Sequence, residues 1–257
     1  TPHRSWILTP ADRAILDAPF PDIAIACGRR MAAPLATLKR RAGARTFAIF
    51  LQSPHMRLSA FDLVVAPAHD RLCGPNVVET LGAPNALTAE SLRADAAIWR
   101  PRWSDLPRPW IALLVGGDSG AHRLPPDRAR AIGQAAAAAA GALGGALLVA
   151  TSRRTSRAAA AALAETTAHA TGVFWDGDGE NPYRGLLALA DAVIVTADSV
   201  SMASEAATAG KPVYLAAVEG RATRHRRFHD NLIAHGHARL FQGEATPFAA
   251  PPLNEAE

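Results

Sequence analysis

Short, continuous apolar runs, each followed by a stretch with helical character, recur along the chain and constrain its fold more than any other feature. They occupy residues 22–27, 46–51, 62–66, 110–115, 146–150, 173–175, 192–196 and 213–216. Between them lie segments suited to helices at 29–42, 88–98, from 127, 155–170, up to 189, 201–209 and from 223. Alternation of this kind builds parallel βα units. The runs are apolar throughout instead of alternating, which predicts strands covered on both faces. The expected class is α/β, with two Rossmann-like lobes.

The rhythm breaks once, where Pro101, Pro107 and Pro109 crowd a short segment. Proline fixes φ and removes a donor, so this stretch resists regular structure. It predicts an N-terminal lobe over 1–100, a linker at 101–109 and a C-terminal lobe over 110–222. Residues 223–257 then form a last helix that returns to the first lobe and a tail that is loose from Pro247. The chain opens on Thr1 without a preceding strand, which suggests that the N-terminal lobe is incomplete.

Composition excludes several functions. Cys27 and Cys73 match neither a disulfide framework nor a zinc site, as expected of a reducing cytoplasm. No cluster of His, Cys and carboxylates has metal-ligand spacing, so no structural metal is expected. No apolar run reaches the roughly 18 residues of a membrane span; the alanine run at 135–140 reads as helix. The formal charge is +4, and Lys39 and Lys211 are the only lysines, so the basic excess is arginine, suited to phosphate or carboxylate. With few aromatics to stack bases, nucleic acid is not expected as a partner.

Ligands of open α/β sheets bind beyond the carboxyl ends of the strands, which selects four loops in the second half. The first is Gly116-Gly117-Asp118-Ser119-Gly120. Its glycines allow close backbone approach to a ligand, with Gly116, Gly117 and Ser119 as candidate contacts. It carries neither G-x-G-x-x-G nor a Walker ending, Asp118 would repel phosphate, and a plain turn explains it equally. The second, Thr151-Ser152-Arg153-Arg154-Thr155, offers hydroxyls and guanidiniums at a helix start, where the macrodipole favours an anion. Its alternative is that Ser152 or Thr155 caps the helix and both arginines face solvent. The third, Asn181-Pro182-Tyr183, either contacts ligand through Asn181 and Tyr183 or only starts a helix. The fourth runs from Thr196 through Asp198, Ser199, Val200, Ser201 and Met202 to Glu205. Its N–H groups and hydroxyls suit a diphosphate, and Glu205 suits two neighbouring sugar hydroxyls. A capping box does not account for Glu205, because its partner would be Met202, which has no hydroxyl. Asp198 is an awkward neighbour for a diphosphate.

These motifs, together with Cys27-Gly28-Arg29-Arg30, Phe61-Asp62-Leu63-Val64-Val65, Pro67-Ala68-His69-Asp70, Gly74-Pro75-Asn76-Val77 and Gly210-Lys211-Pro212-Val213-Tyr214, fall in the order seen in the mitochondrial-fission ELM-one-like family, which is widespread in bacteria. The chain resembles that family over nearly its whole length. The resemblance implies a two-lobed, GT-B type glycosyltransferase-like protein with a nucleotide sugar held in an interlobe cleft. Ser204-Glu205-Ala206 and Gly210-Lys211-Pro212 look like the nucleotide-sugar signature of that fold. The likeness places Glu205 on the ribose hydroxyls and Ser199, Val200 and Ser201 near the diphosphate, although Asp198-Ser199 stands where glycine is often found. Arg153, Arg154 and Lys211 would then stabilise a leaving diphosphate, His69 or Asp70 would serve as first-lobe base, and His229 would face the cleft or pack. No cofactor beyond the nucleotide sugar is implied. The implied acceptor class is a lipid-linked or cell-envelope glycan, and the implied location is the cytoplasm, with peripheral contact at the inner membrane. Two alternatives stand beside this reading. One is a non-catalytic GT-B-shaped scaffold; the other is a nucleotide-sugar epimerase, whose NAD-linked form is disfavoured by the missing fingerprint and the lack of a Tyr-x-x-x-Lys pair.

Overall fold

The computed structural model describes Thr9 and residues 12–220 and 222–254. The very start of the N-terminal lobe and the last three residues of the tail lie outside the described residues. The chain forms two compact units that divide after Pro84.

The first unit holds β1 (Ile23–Cys27), α1 (Ala32–Ala42), β2 (Phe47–Leu51), β3 (Leu63–Pro67) and β4 (Val77–Thr80). The strands are parallel and pair in chain order. Leu35 and Leu38 of α1 pack with Phe50, Phe61 and Val64 on one face of the sheet. The opposite face of β1 and β2 is open: Ile23, Ile25 and Phe47 are all exposed. Two-sided burial therefore does not hold here. The β2–β3 and β3–β4 links carry only the 3-10 turns Leu58–Ala60 and Ala68–Asp70, too short to lay a helix on the sheet. β4 also escapes the sequence pattern, since only Val77 and Val78 of its four residues are apolar.

The second unit begins with α2 (Ala89–Trp99), β5 (Trp110–Leu114), β6 (His122–Arg123), α3 (Pro126–Ala142), β7 (Ala146–Ala150), α4 (Arg157–Thr167) and β8 (Gly172–Trp175). It continues with α5 (Tyr183–Leu189), β9 (Ala192–Thr196), α6 (Val200–Thr208), β10 (Val213–Ala216), β11 (Glu219–Gly220), α7 (Thr223–Ala234) and β12 (Ala238–Leu240). Six parallel strands run in the order β12-β10-β9-β5-β7-β8, and β6 and β11 form a separate antiparallel ribbon. Every residue of β5, β7 and β9 is buried, as fully apolar strands demand. The order grows outward in both directions from β5 and β9, which makes the gap between them the topological switch point.

The proline-rich stretch read as a linker lies inside this unit. Trp99, Trp103 and Trp110 stack in a row, with centroids 5.2 and 5.9 Å apart, and all three are buried. α2 packs on α5, where Gly185 leaves room for the Trp99 ring. Aromatic burial thus organises a segment from which proline removes regular hydrogen bonding. The tail between Pro247 and Asn254, expected to be loose, packs on the second unit. The Leu253 N–H bonds the Ala207 carbonyl at 2.9 Å, Leu253 is buried, and Phe248 packs edge-on against Tyr214.

Candidate functional site

The loops after β5, β7 and β9 are welded together at the carboxyl end of the sheet. Asp198 is the centre of the weld. Its side chain is fully buried, and its Oδ2 accepts from the Gly117 N–H at 2.9 Å and pairs with the Arg154 guanidinium at 2.7 Å. Thr196 Oγ1 accepts from the Gly116 N–H at 2.7 Å. A side chain at Gly116 would collide with the Asp198 carboxylate, and one at Gly117, whose φ is +145°, with the Arg154 carbonyl. The glycines therefore admit a close approach, as glycines do, but the approaching groups are the protein's own. An internal carboxylate occupies the seat that the glycine loop would offer an anion. The Gly116 and Gly117 N–H groups, expected to face a ligand, thus bond Thr196 and Asp198, which gives Asp198 a structural role.

Ser152 and Thr155 are consumed in the same way. Both hydroxyls donate to the Gly116 carbonyl at 2.6 Å, and Thr155 Oγ1 also accepts from the Ser152 N–H. The cap of α4 is Ser156, which accepts from the Ala159 N–H, so the helix starts two residues later than the pattern predicts. Arg153 is exposed, and Arg154 is committed to Asp198 and the Gly117 carbonyl. Ser119 accepts from the His122 N–H at 3.1 Å, and Asp118 from the Leu124 N–H at 2.9 Å, which closes the loop into the β6–β11 ribbon.

The start of α6 is different. Ser199 caps it, accepting from the Met202 N–H. With Met202 at the third helical position there is no carboxylate to complete a capping box, so Glu205 is free of that duty. Val200 and Ser201 occupy the first two positions, whose N–H groups have no carbonyl within the helix to bond. Glu205 sits half-buried one turn beyond Ser201, and the Tyr183 hydroxyl donates to its Oε2. Burial raises the Glu205 carboxyl above its ordinary range, against the opposing influence of the Tyr183 hydrogen bond and Arg184. Burial and the Glu205 charge together raise the Tyr183 phenol. Asn181 is exposed and precedes α5, its Oδ1 accepting from the Tyr183 N–H at 2.9 Å.

Lys211 is not brought to this end. It follows α6, which has carried the chain back to the amino edge of the sheet, and it donates to the Ala188 carbonyl at 3.0 Å. His69 and Asp70 belong to the first unit, with side chains 1% and 3% exposed and 3.6 Å apart. His229 lies on α7, where its ring bonds the Ala197 carbonyl. Burial first, and His225 second, push it down to about 4. His122 and His225, which motif reading missed, stand beside it.

A family model described as Mitochondrial fission ELM1 matches residues 2–257. The chain belongs to the mitochondrial fission ELM1 family. The Mitochondrial fission protein ELM1 of Arabidopsis thaliana is 28% identical to this ELM1-family chain over 261 residues, 91% of this chain and 61% of its own length. An uncharacterized protein of Rickettsia prowazekii is 26% identical over 283 residues, 95% of this chain and 79% of its own. This member thus spans about three fifths of the plant relative. Among solved structures, the UDP-GlcNAc 2-epimerase of Methanocaldococcus jannaschii superposes with a TM-score of 0.53 at 12% identity, covering 87% of this chain and 67% of that one. MurG of Acinetobacter baumannii gives 0.51 at 17% identity, with 86% and 60% covered. The UDP-GlcNAc 2-epimerase of Neisseria meningitidis, solved with UDP-GlcNAc bound, gives 0.52 at 12% identity, with 87% and 64% covered. These likenesses show the fold of this ELM1-family chain to be of the GT-B type. Among its described residues, no group of three or more His, Cys, Asp or Glu side chains is placed to hold a metal ion, and no helix is long and apolar enough to cross a membrane.

Proposed function

We propose that the second unit binds a nucleotide sugar at the β5–β9 switch point. The diphosphate lies on the first-turn N–H groups of Val200 and Ser201, the ribose hydroxyls meet Glu205, and Arg153 adds an exposed cation. The observation that carries this reading is the Glu205 carboxylate, held by the Tyr183 hydroxyl one turn beyond the α6 start and left without a capping role. A helix start offers donors to an anion, and a carboxylate a turn later offers acceptors to a diol. The likeness of Ser204-Glu205-Ala206 to a nucleotide-sugar signature supports the same assignment.

Thermal shift with uridine, guanosine, adenosine and cytidine diphosphates and their sugars tests it, since a ligand of the native state raises the melting temperature. One base series stabilises the wild type, and Glu205→Ala weakens it about 10- to 100-fold, the loss of a charged hydrogen bond. A flat panel, or equal response of wild type and variant, sinks the reading.

Sugar transfer to a lipid-linked or cell-envelope acceptor is the reaction we attach to this site. A second reading, binding without turnover, draws on the weld itself: Asp198 already holds Arg154 and the Gly117 N–H, donors that a departing diphosphate would require. Assays for transfer, hydrolysis and epimerisation on the stabilising nucleotide sugar separate the two, because bound but unchanged donor identifies the second.

A further inference from the structure

Four buried polar atoms without a hydrogen-bond partner lie in segments that follow β5, β9 and β10 of the second unit: His122 Nδ1, Asp198 Oδ1, His225 Nδ1 and His229 Nε2. The β6–β11 ribbon brings His122 edge-on to His225, with centroids 4.4 Å apart, and His229 follows His225 one turn along α7 at 6.5 Å. The His225 ring bonds the Asp198 carbonyl, and the His229 ring bonds the Ala197 carbonyl. A ring nitrogen that faces a carbonyl carries the proton, so in a neutral imidazole the other nitrogen is a bare lone pair. Both rings are held toward the neutral form, chiefly by burial and then by the neighbouring imidazoles.

His225 Nδ1, His229 Nε2 and Asp198 Oδ1 are therefore three buried acceptors without donors. An unsatisfied buried polar group is costly to the folded state, so such a group is an exception that calls for a partner. A phosphate brings only more lone pairs. The complement is a group rich in O–H or N–H donors. The Asp198 carboxylate on the Gly117 N–H and the acceptors beside it point the same way.

We propose that the Asp198–His225–His229 cluster receives the hydroxyl groups of the sugar part of the donor, while the phosphates stay at the start of α6. This rests on the nucleotide-sugar reading above and divides that site by hydrogen-bond polarity. His225 and His229 act as specificity-determining residues that tell a sugar nucleotide from the bare nucleoside diphosphate.

The test titrates the full chain with matched pairs: UDP and UDP-GlcNAc, GDP and GDP-mannose, ADP and ADP-glucose, and CDP and CDP-glucose. His229→Asn keeps a donor at the Nδ1 position for the Ala197 carbonyl and removes the acceptor at Nε2. His225→Gln keeps a donor at the Nε2 position for the Asp198 carbonyl. Each raises the Kd of the sugar nucleotide about tenfold, one hydrogen bond's worth, and leaves the diphosphate within about twofold. Glu205→Ala weakens both members of a pair. Nitrogen NMR of the wild type supplies a readout independent of variant folding, because the sugar nucleotide, and not the diphosphate, shifts His225 Nδ1 and His229 Nε2. Equal effects on both ligands, or none on either, assign the acceptors to bound water or packing and overturn the proposal while leaving the nucleotide-sugar reading intact. If no pair binds, both fall, and Glu205→Ala is then equally silent.

Discussion

Ile25 of β1 and Ile194 of β9 sit in equally apolar five-residue parallel strands, yet Ile25 is 63% exposed and Ile194 is fully buried. The strands do not differ in what they encode locally. They differ in what the chain lays over them. α3 links β5 to β7 and α6 links β9 to β10, whereas β2 and β3 are joined through a single 3-10 turn. A parallel crossover covers a sheet face only when it is long enough to carry a helix. An apolar run thus reports a strand, and the number of helix-bearing crossovers in its sheet, α1 alone in the β1–β4 sheet, reports how many of its faces are covered.

Substitution exposes the contrast most directly. Ile194→Ala is expected to cost about 2–5 kcal/mol in denaturant unfolding, through lost burial and the cavity left behind. A value near zero would show that the second core is not packed as described. Acid should separate the units next. His229 is depressed to about 4 in the folded chain from an ordinary 6.5. The unfolded chain therefore takes up that proton first, and the stabilisation is complete above pH 6.5 and lost as pH falls toward 4, roughly 3 kcal/mol in all. His225 and then His122 beside the ring steepen this loss, whereas Asp230 and the hydrogen bond to the Ala197 carbonyl soften it. In the first unit, burial works against the Asp62 carboxylate, but the Ala48 N–H and Lys39 hold it below its ordinary 3.8. Its contribution stays whole above that value and goes only as pH drops further. Amide exchange along a pH series should accordingly show α7 and the β9 loop opening before β2 and β3; the reverse order would break the comparison. Ser199→Ala, which removes the α6 cap, should cost about 1 kcal/mol in the same unfolding assay. Ile25→Ser is expected to stay within about 0.5 kcal/mol of wild type.

Eight strands were legible from apolar runs to within a residue or so at each end, because burial on a sheet leaves a local signature. The edge strands β4 and β12 and the ribbon β6–β11 left none, being short and largely exposed. Trp99, Trp103 and Trp110 were visible as residues, but their stacking joins positions far apart in pattern, so the prolines between them read as a linker. At the site, Glu205 was legible because its distance from each candidate cap excludes a capping box. Asp198 was legible only as a discord, since its partners, Gly117 and Arg154, lie on other loops. His122 and His225 carried no motif. Their meeting depends on the β6–β11 ribbon, which no periodicity announces.

The Asp198 weld has a kinetic consequence. Loops that must be ordered by a ligand charge that ordering against its affinity, and their closure appears as a separate slow phase. Here the segments after β5, β7 and β9 are already cross-linked by Asp198, Ser152, Thr155 and Thr196. Association of a diphosphate with the start of α6 should then run in one step at the ordinary encounter rate of about 10⁵–10⁷ M⁻¹s⁻¹, and competing diphosphates should be sorted by how long they stay.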